Sequence, residues 1–381
     1  MSGKKQNLVI GAGLAGATIA NQIATHFDEK VLVIDSKNHI AGNCYDYYDQ
    51  NGICIQKYGS HIFHTNDDKV WEYLSNFCEW NTYQHKVIGV INDVETPIPF
   101  NLNSLYDVFP LDLAKRLEEK LLEKFEYNKK VPILEFKKQN DEDLQLLADF
   151  VYEKVFLNYT IKQWGLKPEN IDNSVTARVP VFISNDNRYF QDTHQGIPIG
   201  GYTAMISNML KNPNIEIKLN TNFSDIKDSL EYNRLFFTGS IDEFFDYKFG
   251  ILPYRSVYFE LEEHNQEFYQ KNAVVNYPND NDFTRISEYK YYLNDKSDKT
   301  VIAKEYSENF ELGKNDRYYP IPKDENTNLH DKYLKEATKL DNVYFLGRLG
   351  DYKYYNMDQV VKRALEVFYK ITPQKIKKVP N

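Results

Sequence analysis

The sequence predicts a mixed α/β fold that combines a Rossmann-like domain, built from separate stretches of chain, with a helical insertion and an antiparallel β-sheet. Three observations support this prediction. The chain begins with a strand, a glycine turn and a helix. It ends with a second strand–glycine–helix unit. Between the two units, a segment with helical periodicity precedes a segment in which apolar and polar residues alternate.

The first unit contains a phosphate-binding glycine pattern. Residues 8–10 form a short apolar run that is typical of a buried parallel strand, and Gly11, Gly13 and Gly16 follow in the spacing GxGxxG. Gly11 permits the tight turn, Gly13 lets backbone N–H groups approach a pyrophosphate, and Gly16 lets helix and strand pack closely. The helix N-terminus then faces the anion.

The next strand completes a βαβ unit. Residues 30–34 (KVLVI) are apolar and lead into Asp35, whose carboxylate can accept a hydrogen bond from a ribose 2′-hydroxyl. This arrangement predicts a dinucleotide site, and the alternative is a glycine-rich turn without a ligand. The segment alone does not distinguish NAD from FAD or define a reaction.

Length and composition restrict the function. A chain of 381 residues can bury a large core and is expected to form two or three domains. Its net charge of -9 argues against a protein that binds nucleic acid by neutralising phosphates. Cys44, Cys54 and Cys78 form no CxxC pair, and we expect neither a signal peptide nor a membrane span. We therefore expect a cytoplasmic protein with reduced thiols.

The segment from residue 36 to residue 98 is expected to add short strands and one helix. An aromatic loop contains His61 and His64, but no further cluster has metal-ligand spacing, so we predict no metal site. Apolar spacing predicts a helix over 68–80, and residues 86–90 and 95–98 are predicted to be strands.

Residues 104–165 are predicted to be helical. Two apolar stripes repeat at helical spacing, and Gly165 is predicted to cap the last helix. That helix ends in NYTIKQW, where Tyr159 and Trp164 supply flat faces beside polar groups. Such residues suit a platform on which a base stacks. The same pattern is equally compatible with two amphipathic aromatic residues that pack at a domain boundary.

The next part of the chain returns to the first domain and then forms the sheet. Residues 202–209 are predicted to be a helix, and residues 215–219 and 234–237 strands of the Rossmann-like domain. Between 257 and 306, alternation predicts an antiparallel sheet. Arg285 is in mid-strand there. It is either a solvated residue or an anion ligand, and the residues alone favour solvation.

The C-terminal unit favours FAD over NAD. Residues 343–347 form a buried strand that ends in glycine, and a helix with an apolar stripe over 360–368 follows a loop. This places a second helix N-terminus, near Asp358, against the ligand. A positive helix end suits a reduced flavin, whose negative charge lies on the pyrimidine side of its ring, whereas a nicotinamide needs no such partner.

Several segments together resemble the prokaryotic UDP-galactopyranose mutase family over nearly the whole chain. They are IGAGLAGA, HIAGNCYD, GSHIFHT, NYTIKQW, the Arg178 segment, FTRISEYK, YYPIP and GRLGDYKYYNMD. The resemblance implies a discontinuous FAD-binding domain (1–80, 196–245 and 320–381), a helical substrate and dimer domain (101–175) and an antiparallel sheet domain (81–100, 176–195 and 246–319). It also implies a homodimer that interconverts UDP-galactopyranose and UDP-galactofuranose.

The resemblance further implies a mechanism without net redox change. The N5 atom of reduced FAD attacks the anomeric carbon of galactose while UDP leaves, and UDP returns after the sugar ring has reclosed as the furanose. An external reductant is needed, and the sequence does not identify it.

Site residues follow by position from this resemblance. His64, Arg178 and Arg285 are expected to be catalytic, with Arg178 on a mobile loop and both arginines on the diphosphate. The substrate is expected to contact Phe156, Tyr159, Thr160, Trp164, Arg178, Tyr189, Arg285, Tyr319 and Tyr354. The cofactor is expected to contact Gly11, Gly13, Leu14, Ala15, Gly16, Asp35, Asn43, His61, Phe223, Gly347, Arg348, Met357 and Asp358.

The sequence also departs from the family pattern. Ser60 replaces a proline, Ala41 replaces a glycine, and Asn356 stands where an aspartate is usual. The alternatives that stay open are a flavin oxidoreductase of the amine-oxidase-like class, a mutase that also accepts UDP-N-acetylgalactosamine, and a sugar-nucleotide binding protein without activity.

Overall fold

The computed structural model describes residues 6–136, 138–167, 180–229 and 231–372. The strands are β1 (Gln6–Ile10), β2 (Val31–Ile34), β3 (Asp46–Tyr48), β4 (Cys54–Gln56), β5 (Phe63–Thr65), β6 (Trp80–Asn81), β7 (Val87–Ile91), β8 (Val94–Ile98), β9 (Lys130–Pro132), β10 (Pro180–Phe182), β11 (His194–Pro198), β12 (Ile215–Lys218), β13 (Tyr232–Phe237), β14 (Tyr254–His264), β15 (Val274–Asn276), β16 (Arg285–Glu288), β17 (Thr300–Asn309), β18 (Tyr319–Pro320) and β19 (Val343–Phe345). The helices are α1 (Leu14–His26), α2 (Asp68–Ser75), α3 (Leu102–Val108), α4 (Leu111–Lys124), α5 (Ile133–Phe136), α6 (Glu142–Val151), α7 (Asn158–Trp164), α8 (Tyr202–Met209), α9 (Phe223–Ile226), α10 (Ile241–Phe244), α11 (Lys290–Leu293), α12 (Asp324–Ala337), α13 (Gly347–Gly350) and α14 (Met357–Ile371).

The Rossmann-like part is a parallel sheet in the order β12-β2-β1-β13-β19. The central strands β1 and β2 are buried and largely apolar, as parallel strands covered on both faces require, whereas the edge strand β12 is mostly exposed. The N-terminal helix α1 and the C-terminal helix α14 share one core, in which Ile19 and Ile23 belong to the same cluster as Val361 and Phe368. The predicted mixed α/β fold with a discontinuous Rossmann-like domain is confirmed.

A second sheet has the order β18-β14-β17-β16-β15-β7-β8. Its described strands pair antiparallel, except that β15 and β7 run parallel. This sheet matches the predicted antiparallel region. It also brings Arg285 on β16 next to Asn276 on β15 and Glu305 on β17.

The helical insertion, α3 to α7, shares a core with β7, β8 and β15 of the seven-stranded sheet. Its predicted stripes pack together, with Leu117 and Leu121 of α4 against Leu144 and Leu147 of α6. A π-helical stretch, residues 152–157, joins α6 to α7, and such stretches are common near functional sites. Gly165 ends α7 in the left-handed conformation, as predicted. The β9–β10 pair in this region was not predicted.

The predicted helix over 68–80 was wrong at its C-terminal end. Helix α2 stops at Ser75, and Trp80 begins β6. Trp80 turns back instead: its ring stacks on Trp71 at 4.3 Å, and its Nε1 donates to Ser75 Oγ at 2.9 Å. Ring stacking therefore outweighs helix propensity here. Among the residues that the structure describes, no helix is both long and apolar enough to span a bilayer.

Candidate functional site

A cleft of about 540 Å³ lies between α7 and the seven-stranded sheet. The predicted site residues that line it are His61, His64, Phe156, Tyr159, Thr160, Trp164, Tyr189, Arg285, Tyr319, Arg348, Tyr354 and Met357. These residues come from distant parts of the chain and from both the sheet and the helical insertion. The fold therefore brings nearly all predicted substrate residues into one cavity.

Arg285 presents a permanent positive charge to the cleft. Its Nε atom lies 3.2 Å from Oε1 of Glu305, but the N–H is not aimed at this oxygen. The same oxygen accepts a hydrogen bond from Thr284 Oγ1 at 3.1 Å. Burial lowers the pKa of Arg285, but the Glu305 carboxylate and the neighbouring tyrosines together more than reverse this, so that the pKa is raised. Arg285 thus stays charged and has donors available for an anion.

Glu305 was not among the predicted site residues, although it lines the cleft and is only 5% exposed. A signal exists in the sequence of β17, where Glu305 is in phase with the apolar residues Val301 and Ala303. A carboxylate on the buried face of a strand needs a partner. Arg285, which the residues alone had suggested to be solvated, is that partner.

Tyrosine phenols surround the arginines. Arg285 Cζ lies 6.0 Å from the ring centroid of Tyr159, and Arg348 Cζ lies 5.4 Å and 5.5 Å from those of Tyr319 and Tyr354. Burial raises the pKa of Tyr159 and of Tyr319 above the usual value, so both phenols keep their protons at neutral pH. They can therefore donate hydrogen bonds to phosphate oxygens.

Trp164 is more deeply buried than expected for a ring that offers an open face to a nucleotide base. It is 3% exposed and packs on Tyr319 and Tyr354, at centroid distances of 6.1 Å and 5.5 Å. Arg255 of β14 holds the end of its helix, since Nε donates to Gln163 O at 2.9 Å. Tyr159 is one turn earlier on α7, nearer Arg285.

Three histidines, His61, His64 and His85, line the cleft. Burial lowers the pKa of His61 to about 4 and that of His85 to about 3. Burial also lowers the pKa of His64, while the nearby Asp192 acts in the opposite direction. At neutral pH these rings are uncharged hydrogen-bonding groups. His85 and Asp192 line the cleft but were not predicted, and no local motif marks either residue.

The glycine turn is built from close backbone contacts. A Cβ at Gly16 would lie 1.9 Å from the carbonyl oxygen of Gly11. The close approach of α1 to the end of β1 therefore requires glycine at position 16. Gly11 itself has a φ of 103°, which favours glycine. Helix α1, which begins with Leu14 and Ala15, has no side-chain cap and no acid in its first turn. Its N-terminus thus remains available to an anion.

Asp35 holds this turn in place. Its Oδ2 accepts from the Ala12 N–H at 2.7 Å and its Oδ1 from the Lys37 N–H at 2.8 Å. Each carboxylate oxygen keeps a further lone pair, so a ribose hydroxyl can still be bound. Asn43 is half-buried next to Gly42, whose backbone approaches Gly13 closely.

A row of residues, which we call the dinucleotide crevice, connects the glycine turn with the cleft through Gly347, Arg348 and Met357. Gly347 faces the first turn of α1, because a Cβ at Gly347 would lie 3.3 Å from that of Ala15. The next residue, Arg348, lines the cleft, and its Nη2 donates to Tyr355 O at 2.7 Å. Met357 also lines the cleft, with its sulfur 3.7 Å from Cys44 Sγ. These residues fit an extended dinucleotide that runs from the glycine turn to the cleft.

Asp358 and Phe223 lie off the cleft. Thr65 Oγ1 donates to Asp358 Oδ2 at 3.1 Å, and Oδ1 is buried without a hydrogen-bond partner among the described residues. Phe223 packs on Phe237 and Phe244, at centroid distances of 5.4 Å and 5.7 Å. Its contact with a cofactor stays a prediction. Arg178 lies outside the described residues.

Comparison with known proteins identifies related sequences and folds. A family model described as UDP-galactopyranose mutase matches residues 154–354, and one described as an NAD(P)-binding Rossmann-like domain matches residues 9–77. The chain is 35% identical to the UDP-galactopyranose mutase of Mycoplasma genitalium, over 94% of this chain and 93% of that protein. It is 34% identical to the dTDP-fucopyranose mutase of Escherichia coli, over 94% of this chain and 96% of that protein.

A solved structure supports the fold. The crystal structure of a reduced UDP-galactopyranose mutase matches with a TM-score of 0.71 and 17% identity, covering 97% of this chain and 94% of that one. The match extends over nearly the whole of both chains, so it supports the mixed α/β fold with its Rossmann-like domain.

Proposed function

The chain belongs to the UDP-galactopyranose mutase family of isomerases, and on this premise we propose that it interconverts UDP-galactopyranose and UDP-galactofuranose with reduced FAD. One observation supports the proposal above others. The cleft brings Arg285 and its surrounding phenols against the Arg348–Met357 end of the dinucleotide crevice. A diphosphate bound by the first group would present its sugar to a ring held by the second.

The residues of the crevice favour FAD over NAD. Met357 opens α14, whose first turn faces the cleft next to Arg348. A helix N-terminus and a guanidinium suit the negative charge of a reduced flavin. A reduced flavin would supply a nucleophilic N5 atom for the anomeric carbon, with UDP as the leaving group and no net redox change.

The protein's own part is to bind and orient the substrate. Arg285 would hold the diphosphate, with donated hydrogen bonds from the phenols of Tyr189, Tyr319 and Tyr354. Arg178 is proposed to close on the same diphosphate. The α7 side of the cleft would hold the uridine through Phe156, Tyr159, Thr160 and Trp164. His64 lines the cleft and is neutral, so it suits a sugar hydroxyl better than a phosphate.

Two measurements test the proposal. The visible spectrum of the purified protein reports a bound flavin. UDP-galactofuranose is then incubated with the dithionite-reduced protein, and formation of the pyranose without stoichiometric loss of reductant is expected. Undiminished activity of the oxidised protein would exclude this mechanism. Substrate-linked flavin reduction with a redox-changed product would instead indicate an oxidoreductase.

A second substrate is favoured by the comparison. The Escherichia coli dTDP-fucopyranose mutase is as similar to this chain as the Mycoplasma genitalium enzyme. The same assay with dTDP-fucopyranose, and with UDP-N-acetylgalactosamine, compares kcat/KM for the three nucleotide sugars. The highest value defines the substrate.

We also propose that the protein is a cytoplasmic homodimer that depends on an external reductant. Light scattering of the purified holoenzyme tests the oligomeric state, and a monomer at micromolar concentration would contradict it.

A further inference from the structure

A carboxylate holds one nitrogen of His64. Asp192 Oδ2 lies 3.0 Å from His64 Nδ1, and the two side chains are 24% and 15% exposed. The ring also stacks on Phe190, with centroids 3.7 Å apart and an angle of 14° between planes. The position of the imidazole is therefore fixed at its face and at its Nδ1 edge. No hydrogen-bond partner within the described residues occupies Nε2.

A chain of hydrogen bonds fixes the direction of this contact. The backbone N–H of Thr193 donates to Asn66 Oδ1 at 2.8 Å, so the amide of Asn66 can have only one orientation. Asn66 Nδ2 then donates to Asp192 Oδ1 at 2.9 Å. Asp192 uses its other oxygen to accept from His64, because an ionised carboxylate has no proton to donate.

The turn that presents Asp192 is anchored as well. Gln195 Nε2 donates to the carbonyl oxygens of Phe190 and Asp192 at 3.2 Å and 2.9 Å. Gln195 is also the residue directly opposite His64 in the β11–β5 pair. One residue of β11 thus ties the turn to the strand that carries the histidine.

We propose that Asp192 is a positioning residue that keeps the proton of neutral His64 on Nδ1, so that Nε2 accepts a hydrogen bond from a hydroxyl of the bound sugar. The inference rests on the proposed function for the identity of that sugar. It adds a residue, and a defined proton position, to the reaction site.

Other charged or titratable groups face His64, namely Asp358, Lys130 and His85. Among these groups and Asp192, only Asp192 is within hydrogen-bonding distance of the ring in the described part of the chain. Protonation of the ring would replace the Nε2 lone pair with a donor, so the proposed contact, in which a sugar hydroxyl donates to Nε2, requires the neutral form.

The test is Asp192→Asn in the full-length holoenzyme. Asn66 still points its NH₂ group at position 192, so the new amide turns its oxygen to Asn66 and its own NH₂ group to His64 Nδ1. The histidine proton then moves to Nε2, where an acceptor becomes a donor. We expect the Kd of UDP-galactose to rise about tenfold or more. The Kd of UDP, which has no sugar at this position, should stay within about twofold.

Nitrogen-15 NMR of histidine-labelled protein reports the tautomer directly. His64→Ala assigns the signal, which should change from the Nδ1–H to the Nε2–H form in Asp192→Asn. The matched control is Asp68→Asn, which alters a second His–Asp pair outside the cleft, Asp68 Oδ1 to His194 Nε2 at 2.8 Å. Neither ligand's Kd should change in the control.

An unchanged tautomer, or an equal loss of UDP and UDP-galactose binding, would overturn the inference. If the unmodified protein does not bind UDP-galactose, the proposed function fails and so does the sugar contact. In that case the NMR signal still decides whether Asp192 sets the proton position.

Discussion

The dinucleotide crevice and the substrate cleft are neighbours that are built in different ways. The crevice depends on backbone contacts within a few short segments, such as the approach of Gly16 to the carbonyl of Gly11. The cleft depends on side chains from distant segments, such as Arg285 and Tyr159, which meet only in the folded protein. Substitutions in the crevice should therefore act by steric overlap and by changes in backbone geometry. Substitutions in the cleft should act by changes in charge and hydrogen bonding.

The largest effect is expected for Arg285→Ala. The substitution removes the guanidinium that would bind the diphosphate and leaves Glu305 buried without it. We expect turnover to fall by roughly 10²–10³-fold, which is typical for the loss of a preorganised charged donor. Initial rates with UDP-galactofuranose and reduced protein measure this. Arg116→Ala, at a side chain that is 55% exposed on α4, is the control. If Arg285→Ala and the control turned over substrate at similar rates, Arg285 would not be part of the substrate site.

The difference between the two regions also decides what sequence can predict. The glycine turn and Asp35 were predicted from spacing alone because the contacts between Gly16 and Gly11 and between Asp35 and Ala12 lie within one βαβ unit. Arg285 was placed in the site only by family resemblance. Its role depends on Glu305, and the pairing of their strands has no local signal. His85 was missed for the same reason.

A second effect should separate cofactor binding from folding. A Cβ at Gly13 would lie 3.6 Å from Gly42 Cα, an ordinary contact, so flavin-free Gly13→Ala should have the same melting temperature as the flavin-free unmodified protein. The added methyl group prevents close approach of a pyrophosphate to the backbone. We expect bound flavin per chain to fall about tenfold or more, measured by absorbance after gel filtration.

Gly16→Ala is the matched comparison. Its Cβ would collide with the Gly11 carbonyl, so both flavin content and melting temperature should fall. Full flavin content in Gly13→Ala would show that the pyrophosphate does not approach this turn.

A third effect is the pH dependence of folding stability, which we attribute to a buried residue of the cleft. His85 is 5% exposed, and burial lowers its pKa from 6.5 to about 3. Between these values the unfolded chain binds more protons than the folded one, so stability falls as the pH drops below about 6.5. From pH 7.5 to 5.5 this group alone should contribute a loss of about 1.4 kcal/mol.

Urea unfolding of His85→Gln at both pH values checks this expectation. The variant should lose less stability on acidification than the unmodified protein, by roughly that amount. His26→Gln, at an exposed position on α1, is the control. The same pH dependence in all three proteins would show that His85 can bind a proton in the folded state.

The smallest effect is expected at Asn356, where the family usually has an aspartate. Asn356 lines the cleft and caps α14. Its backbone N–H donates to Gln359 Oε1 at 2.9 Å. Aspartate caps a helix as well as asparagine, so Asn356→Asp should keep its stability. The new negative charge near the diphosphate should raise the Kd of UDP by about threefold at low salt, and less at 0.5 M salt because of screening.

Gln359→Glu separates a local charge effect from a general one. It adds the same charge to the same capping box, but residue 359 is exposed and does not line the cleft. Glutamate is equally suited to this position of the box, so the helix should be unaffected. An unchanged Kd for Gln359→Glu and a raised Kd for Asn356→Asp would show that the side chain at 356 acts on the diphosphate directly. An equal change in both would mean that the cleft responds to the charge of the whole helix end, as a backbone-built site does.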